Sequence, residues 1–224
     1  EIGLISFDKT GGSMQLTLYG FVDGQCQELD QAPLSLDAKS VAKISRGALQ
    51  GKAAASLYID SLSANGGYVT DVMELRDGSL INVTLGGGSL RSAAAWRPVN
   101  IACQDIDKDG TPEIPLADLL PGYADPNAAD SCWKLRWTRF SDGAPQSVAI
   151  ETYHASADSW YMRWPEQWGE RVSVVRKNEA GVVKTAFLVP NEEAPLEEYL
   201  TPGEENVLLN IWIFTGDNRQ DHFN

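Results

Sequence analysis

The run with the clearest chemistry in this chain is Asp105-Ile106-Asp107-Lys108-Asp109-Gly110-Thr111-Pro112-Glu113. Carboxylates at positions 1, 3 and 5 of such a run can fold inward around a hard cation. The Gly at position 6 permits the sharp turn that carries the next carbonyl, that of Thr111, into the shell. Glu113, at position 9, can close the sphere directly or through water. Leu116 stands where an EF-hand places its bidentate Glu, and no helix pattern flanks the run, so this is not an EF-hand. Several protein oxygens converging in a flexible loop favour calcium over magnesium, which keeps its waters. The expected ligands are therefore Asp105, Asp107, Asp109, Thr111 and Glu113, with calcium as the cofactor. Asp and Gly are also common turn formers, but a plain polar turn does not account for strict alternation between the apolar residues Ile101 and Ile114.

Aromatic residues form the second constellation. Trp160, Met162 and Trp164 alternate on one face of an expected strand, and Trp168 follows a turn at Pro165. An exposed row of Trp160, Trp164 and Trp168 would stack against sugar rings and make a glycan-binding surface. Core packing is the plainer reading, because Trp is a large hydrophobe with one polar tip.

Catalytic templates fit poorly. No G-x-S-x-G elbow occurs, and Gly86-Gly87-Gly88 lacks the Gly-Lys-[Ser/Thr] that completes a phosphate loop. His154 has no activated nucleophile beside it in sequence. Paired carboxylates for glycoside hydrolysis stay open, since their separation is not encoded in spacing. The pairs Glu192-Glu193, Glu197-Glu198 and Glu204-Glu205 read as a solvated acidic face. Asn82-Val83-Thr84 matches the N-glycosylation acceptor pattern.

Composition narrows the partners. The 224 residues carry 18 Lys and Arg against 31 Asp and Glu, a net charge of −13, with 43% hydrophobic residues. That charge disfavours phosphate backbones and anionic bilayers, so nucleic acid is not an expected partner. Four of the 31 acidic residues fall within positions 105–113. No apolar run approaches the ~18–20 residues that span a bilayer, and any signal peptide or lipid-anchoring Cys would lie upstream of Glu1. Cys26, Cys103 and Cys132 fit either a Cys103–Cys132 disulfide or free thiols.

The elements that must position these residues read as strands. Leu16–Val22 ends in an Asp23-Gly24 turn. Ala55–Asp60, Tyr68–Leu75 and Leu80–Leu85 form strand–turn–strand units around Gly66-Gly67 and Arg76-Asp77-Gly78. Trp133–Phe140 turns at Asp142-Gly143 into Ser147–Tyr153. Ala38–Leu49 has the pattern of a short helix or twisted connector. Trp160–Trp164, Val172–Arg176, Val182–Val189 and Val207–Phe214 read as further strands, with a short helix at Pro195–Leu200. The expectation is a mainly β protein: residues 1–153 as propeller-blade-like or sandwich antiparallel sheets carrying the calcium loop, and 154–224 as a small α+β domain.

The acidic loop resembles the calcium loops of FG-GAP and VCBS-type repeats of bacterial extracellular proteins, where D-x-D-x-D-G-x-x-[DE] joins strands of a propeller blade. With Asp71-Val72, Arg76-Asp77-Gly78, Tyr153, Trp160 and Trp164-Pro165-Glu166-Gln167-Trp168, the chain resembles the C-terminal part of a family of uncharacterised Gram-positive surface lipoproteins. The resemblance implies a calcium-stabilised, non-enzymatic, extracellular or cell-surface module that binds a protein or glycan partner or gives structural support. A carbohydrate-binding or carbohydrate-active domain using the Trp-rich segment is the alternative. A full propeller needs at least four blades, more than these 224 residues provide beside a terminal domain.

Overall fold

The computed structural model describes residues 2–7, 12–49, 55–86, 88–126, 128–141, 144–179, 181–190 and 206–214. With 61% in strands and 6% helical, the protein is mainly β, made of several antiparallel sheets, none closed into a barrel among the described residues. In chain order the strands are β1 Ile2–Phe7, β2 Met14–Val22, β3 Gln25–Pro33, β4 Ala38–Ala48, β5 Ala55–Ser63, β6 Tyr68–Arg76, β7 Ser79–Asn82 and β8 Trp96–Arg97. There follow β9 Ile114–Leu119, β10 Trp133–Ser141, β11 Ala144–Ala155, β12 Trp160–Arg163, β13 Ser173–Glu179, β14 Val182–Leu188 and β15 Val207–Phe214.

Strands close in sequence pair with one another. The sheets run β1-β2-β3, β4-β5-β6-β7 with β8 on β6, β12-β11-β10-β9, and β13-β14-β15. Tight turns make this meander possible. Asp23-Gly24 joins β2 to β3 at φ 52° and 77°, and Asp77-Gly78 joins β6 to β7 at 51° and 84°. Paired positive φ values give the two-residue turn whose twist matches the flanking strands.

The chain divides into two compact units, one of residues 1–117 with 135–152, the other of residues 118–134 with 153–224. The divisions fall inside β9, β10 and β11.

In the first unit the chain is buried at successive positions along β5 and β6, as in a strand covered on both faces. Alternation sends Ile59, Val69 and Met73 to a cluster with Met14, Leu16 and Leu34. Tyr58 and Val72 face the opposite way, toward Leu49, Val83, Cys103, Ile114 and Phe140. Buried Asp71 accepts from the Ser35 N–H at 3.0 Å, Asn82 Nδ2 at 2.8 Å and Ser92 Oγ at 2.7 Å. Asn82, the residue of the acceptor pattern, is thus a buried structural amide rather than a surface position.

The Ala38–Leu49 reading is corrected. This segment is β4, an edge strand paired with β5 from Ala38↔Ser63 to Ala48↔Ala55. Register shifts at Ala38/Ser40 and Val41/Lys43 break its two-residue alternation, so the Val41 and Ile44 spacing that imitates a helix stripe comes from a bulged strand. Both residues are exposed. Bulges and lysines such as Lys39 and Lys43 also discourage pairing with further chains.

The second unit is centred on β13-β14-β15 and an aromatic cluster in which Tyr153, Trp164, Val174 and Phe187 are buried. Its helical structure among the described residues is limited to the 3-10 turns Ser156–Asp158 and Glu166–Trp168. The Pro195–Leu200 helix, the three Glu pairs and the Asp142-Gly143 turn lie outside the described residues. No helix among the described residues is long and apolar enough to cross a membrane.

Candidate metal centre

The acidic loop is held at its stem by the first unit's core. Cys103 is buried, its N–H donating to Asp60 Oδ2 at 2.9 Å, while Lys43 Nζ donates to the Cys103 carbonyl at 3.0 Å. The next residue, Gln104, forms a two-way backbone bridge with Glu113, at 3.2 and 2.9 Å, which closes the loop. On one side the loop lies against β4. The Ala48 N–H donates to the Gly110 carbonyl, and a Cβ on Gly47 would stand 2.1 Å from Pro112 Cδ. Only glycine fits that approach. Within the loop Gly110 takes φ 91°, the region where a side chain is strained, and Lys108 takes 67°.

Carboxylate oxygens of Asp105, Asp107 and Asp109 lie within 4.8 Å of one another. The loop's own amides organise them. Asp105 Oδ1 accepts the Asp109 N–H and Oδ2 the Gly110 N–H, each at 2.9 Å. Asp107 Oδ1 accepts the Asp109 N–H at 3.3 Å, and Asp109 Oδ1 accepts the Thr111 N–H at 2.8 Å. Glu113 is buried, with Oε2 accepting the Ile106 N–H at 3.1 Å. Burial pushes its carboxyl above the usual carboxylate range, against the hydrogen bonds from Ile106 and Arg139.

Arg139, on β10, is the functional residue that sequence spacing does not signal. Its Nη2 donates to Asp107 Oδ2 and Asp109 Oδ2, each at 2.7 Å, and its Nε to Glu113 Oε1 at 3.1 Å. Glu113 therefore joins the aspartate triad through the guanidinium. Thr111 lies in the loop and contributes an N–H to Asp109; the expected role was its carbonyl.

The residues fit a hard divalent cation in donor type and in charge. All donors are oxygens, and each carboxylate oxygen carries more than one lone pair, so an accepted N–H does not exhaust it. Four carboxylates against Arg139 leave a formal excess of 4 − 1 = 3 negative charges, which a divalent ion lowers to one.

The three tryptophans take a different place. Trp164 is 2% exposed, and its Nε1 donates to the Gly169 carbonyl at 3.0 Å. Trp168 meets it edge-on with ring centroids 5.2 Å apart, and Trp160 lies against Tyr153 at 5.7 Å. Trp160 and Trp168 pack against the buried cluster that contains Trp164. Trp164 is buried, and Trp160 and Trp168 are half-buried against its cluster, so the three do not form a fully open stacking row. The exposed aromatics of the described second unit are instead Tyr161, stacked on His154 at 4.9 Å, and Trp212, with Lys184 Nζ over its ring at 5.2 Å.

Of the two readings left open for Cys103 and Cys132, the structure gives free thiols. Both are buried free thiols, in separate hydrophobic clusters, and Cys26 is an exposed one.

No protein-family model, no curated protein and no solved structure matches this chain.

Proposed function

We propose that the chain is a calcium-stabilised β module, a non-enzymatic binding or structural part of a bacterial surface lipoprotein that works outside the cell. The observation that carries this reading is the convergence of the Asp105, Asp107 and Asp109 carboxylates within 4.8 Å, on a loop closed by the Gln104–Glu113 bridge. A cation there draws the three aspartates together and fixes the connection before β9. Extracellular calcium modules bind at roughly 10⁻⁴ to 10⁻³ M, a range suited to an exported site. The partner is a protein or a glycan, since a net charge of −13 disfavours nucleic acid. A sugar-binding row made of Trp160, Trp164 and Trp168 draws no support from their packing.

The test is thermal unfolding in calcium and in chelator. Calcium at about ten times its dissociation constant adds about 1.4 kcal/mol, which raises the midpoint by roughly 3–6 °C for a chain of this size. Asp107→Ala is expected to abolish the rise. An identical midpoint with calcium and with chelator overturns the calcium reading.

A further inference from the structure

We propose that Lys177, Lys184 and Trp212 form a docking row for an acidic polysaccharide on one face of the β13-β14-β15 sheet. The row uses no residue of the acidic loop, and it gives the glycan form of the partner a binding surface. Lys177 on β13 stands opposite Lys184 on β14, and Lys184 opposite Trp212 on β15. Alternation sets all three on the face turned away from Val174 and Phe187, which enter the aromatic cluster. Like charges directly opposite each other are destabilising, yet neither lysine forms an ion pair among the described residues. Arg176, next to Lys177 but on the other face, is by contrast held by both oxygens of Asp158, at 3.1 and 2.9 Å. Trp212 is 53% exposed, with the Lys184 ammonium 5.2 Å from its ring centre and the Phe214 ring 6.1 Å away. The exposed Asn210 amide, on the same face of β15, has no hydrogen-bond partner among the described residues. Two cations without counter-ions, an open aromatic ring and an unspent amide thus stand together in a chain whose net charge is −13. What complements them is an anion with a flat apolar side.

The direction of the row selects a sugar chain over a peptide. It runs across the strands, at about 4.8 Å per strand and roughly 10 Å in all. A peptide added at the β15 edge would run along the strand and meet only Trp212 of the three. A pyranose chain laid across the sheet advances by close to one strand spacing per sugar. One ring then rests its C–H face on Trp212, while the carboxylates of neighbouring uronate units meet Lys184 and Lys177 through charge-assisted hydrogen bonds. Asn210 is left to bond the hydroxyls. Such a chain carries one charge per sugar, far sparser than duplex DNA with one per about 1.7 Å. The negative charge of the protein therefore opposes it less than it opposes nucleic acid.

The experiment is calorimetric titration of the whole chain with hexagalacturonate, with maltohexaose as a neutral probe and a hexaglutamate peptide as an acidic one. Chelator is present throughout, which keeps calcium from bridging the uronates and makes the outcome independent of the acidic loop. Wild type is expected to bind hexagalacturonate in preference to both other probes. Lys177→Gln and Lys184→Gln are each expected to bind it about tenfold more weakly, the loss of one charge-assisted contact, and Trp212→Ala to lose binding. Circular dichroism checks the fold of each variant, and the two lysine changes decide the question if Trp212→Ala does not fold. Hexagalacturonate affinity unchanged in both lysine variants overturns the row as its site. No binding of hexagalacturonate, or equal or tighter binding of maltohexaose or hexaglutamate, overturns the acidic polysaccharide. Each of these results leaves the calcium reading standing, since that is tested by the melting curves alone.

Discussion

Arg97 and Asp60 form an ion pair with both side chains 0% exposed, Nη2 standing 2.6 Å from Oδ1. Every arm of the pair is used. Arg97 also donates to Thr70 Oγ1 at 2.8 Å and to the Ile101 carbonyl at 2.6 Å, and Asp60 Oδ2 accepts both the N–H and the thiol of Cys103. The pair thus ties the segment that enters the acidic loop to the middle of β5. Burial draws the Arg97 guanidinium below its ordinary range, against the charge of Asp60. Removing one partner leaves the other charged and unpaired, so Arg97→Ala is expected to cost about 3–5 kcal/mol in urea unfolding. Replacing both with apolar residues, as in Asp60→Leu with Arg97→Met, is expected to cost less than the single change. A loss under 1 kcal/mol for Arg97→Ala would show that the pair does not hold this segment.

His154 links stability to pH. Burial lowers its imidazole to about 4, below the unfolded value of about 6.5. The unfolded chain therefore takes up this proton first. The stabilisation from a neutral His154 is complete above pH 6.5, declines as pH falls toward 4, and is gone below that. Allowing for solvent screening at a half-buried site, the contribution is about 1–2 kcal/mol. Carboxylates titrate in the same window, so the measurement is the difference in stability between wild type and His154→Gln at pH 4 and pH 7. An equal difference at both pH values contradicts the depressed value.

Thiol reactivity separates the three cysteines. Cys26 is exposed, whereas burial raises the Cys103 thiol well above its usual range and raises that of Cys132. Since the thiolate is the reactive form, a thiol reagent is expected to label one cysteine quickly in the native protein and all three in urea. Recovery of one thiol in urea, without reductant, would reveal a Cys103–Cys132 disulfide.

Much of the sheet structure is legible where apolar residues and turn glycines coincide. Val207–Phe214 is β15 at both ends, and the Asp23-Gly24 and Asp77-Gly78 turns stand where their residues place them. β3 escapes notice because Gln25–Pro33 is mostly polar, its side chains largely exposed while its backbone pairs with β2. β4 misleads through its bulges. The acidic loop is legible because its acidic side chains are neighbours along the chain. Arg139 is not, for it lies 26 to 32 residues from the carboxylates it engages, and only the placement of β10 brings it near. Arg97 and Asp60, 37 residues apart, are hidden for the same reason. In the aromatic segment, composition identified the residues, while their burial depended on Phe187 and Tyr153 from other strands.

The second unit takes part of its core from the middle of the chain, with consequences for synthesis on the ribosome. Leu120 and Cys132 pack with Val174 and Phe187, Tyr123 donates to the Val174 carbonyl at 2.7 Å, and Ser173 Oγ donates to the Pro121 carbonyl at 2.5 Å. Residues 118–134 are translated first, and Phe187 follows Lys134 by 187 − 134 = 53 residues. At about 5–20 residues per second, that leaves this apolar stretch waiting roughly 3–10 s for Phe187. For that interval the nascent chain carries Leu120, Tyr123 and Cys132 without the Val174 and Phe187 against which they pack in the folded protein.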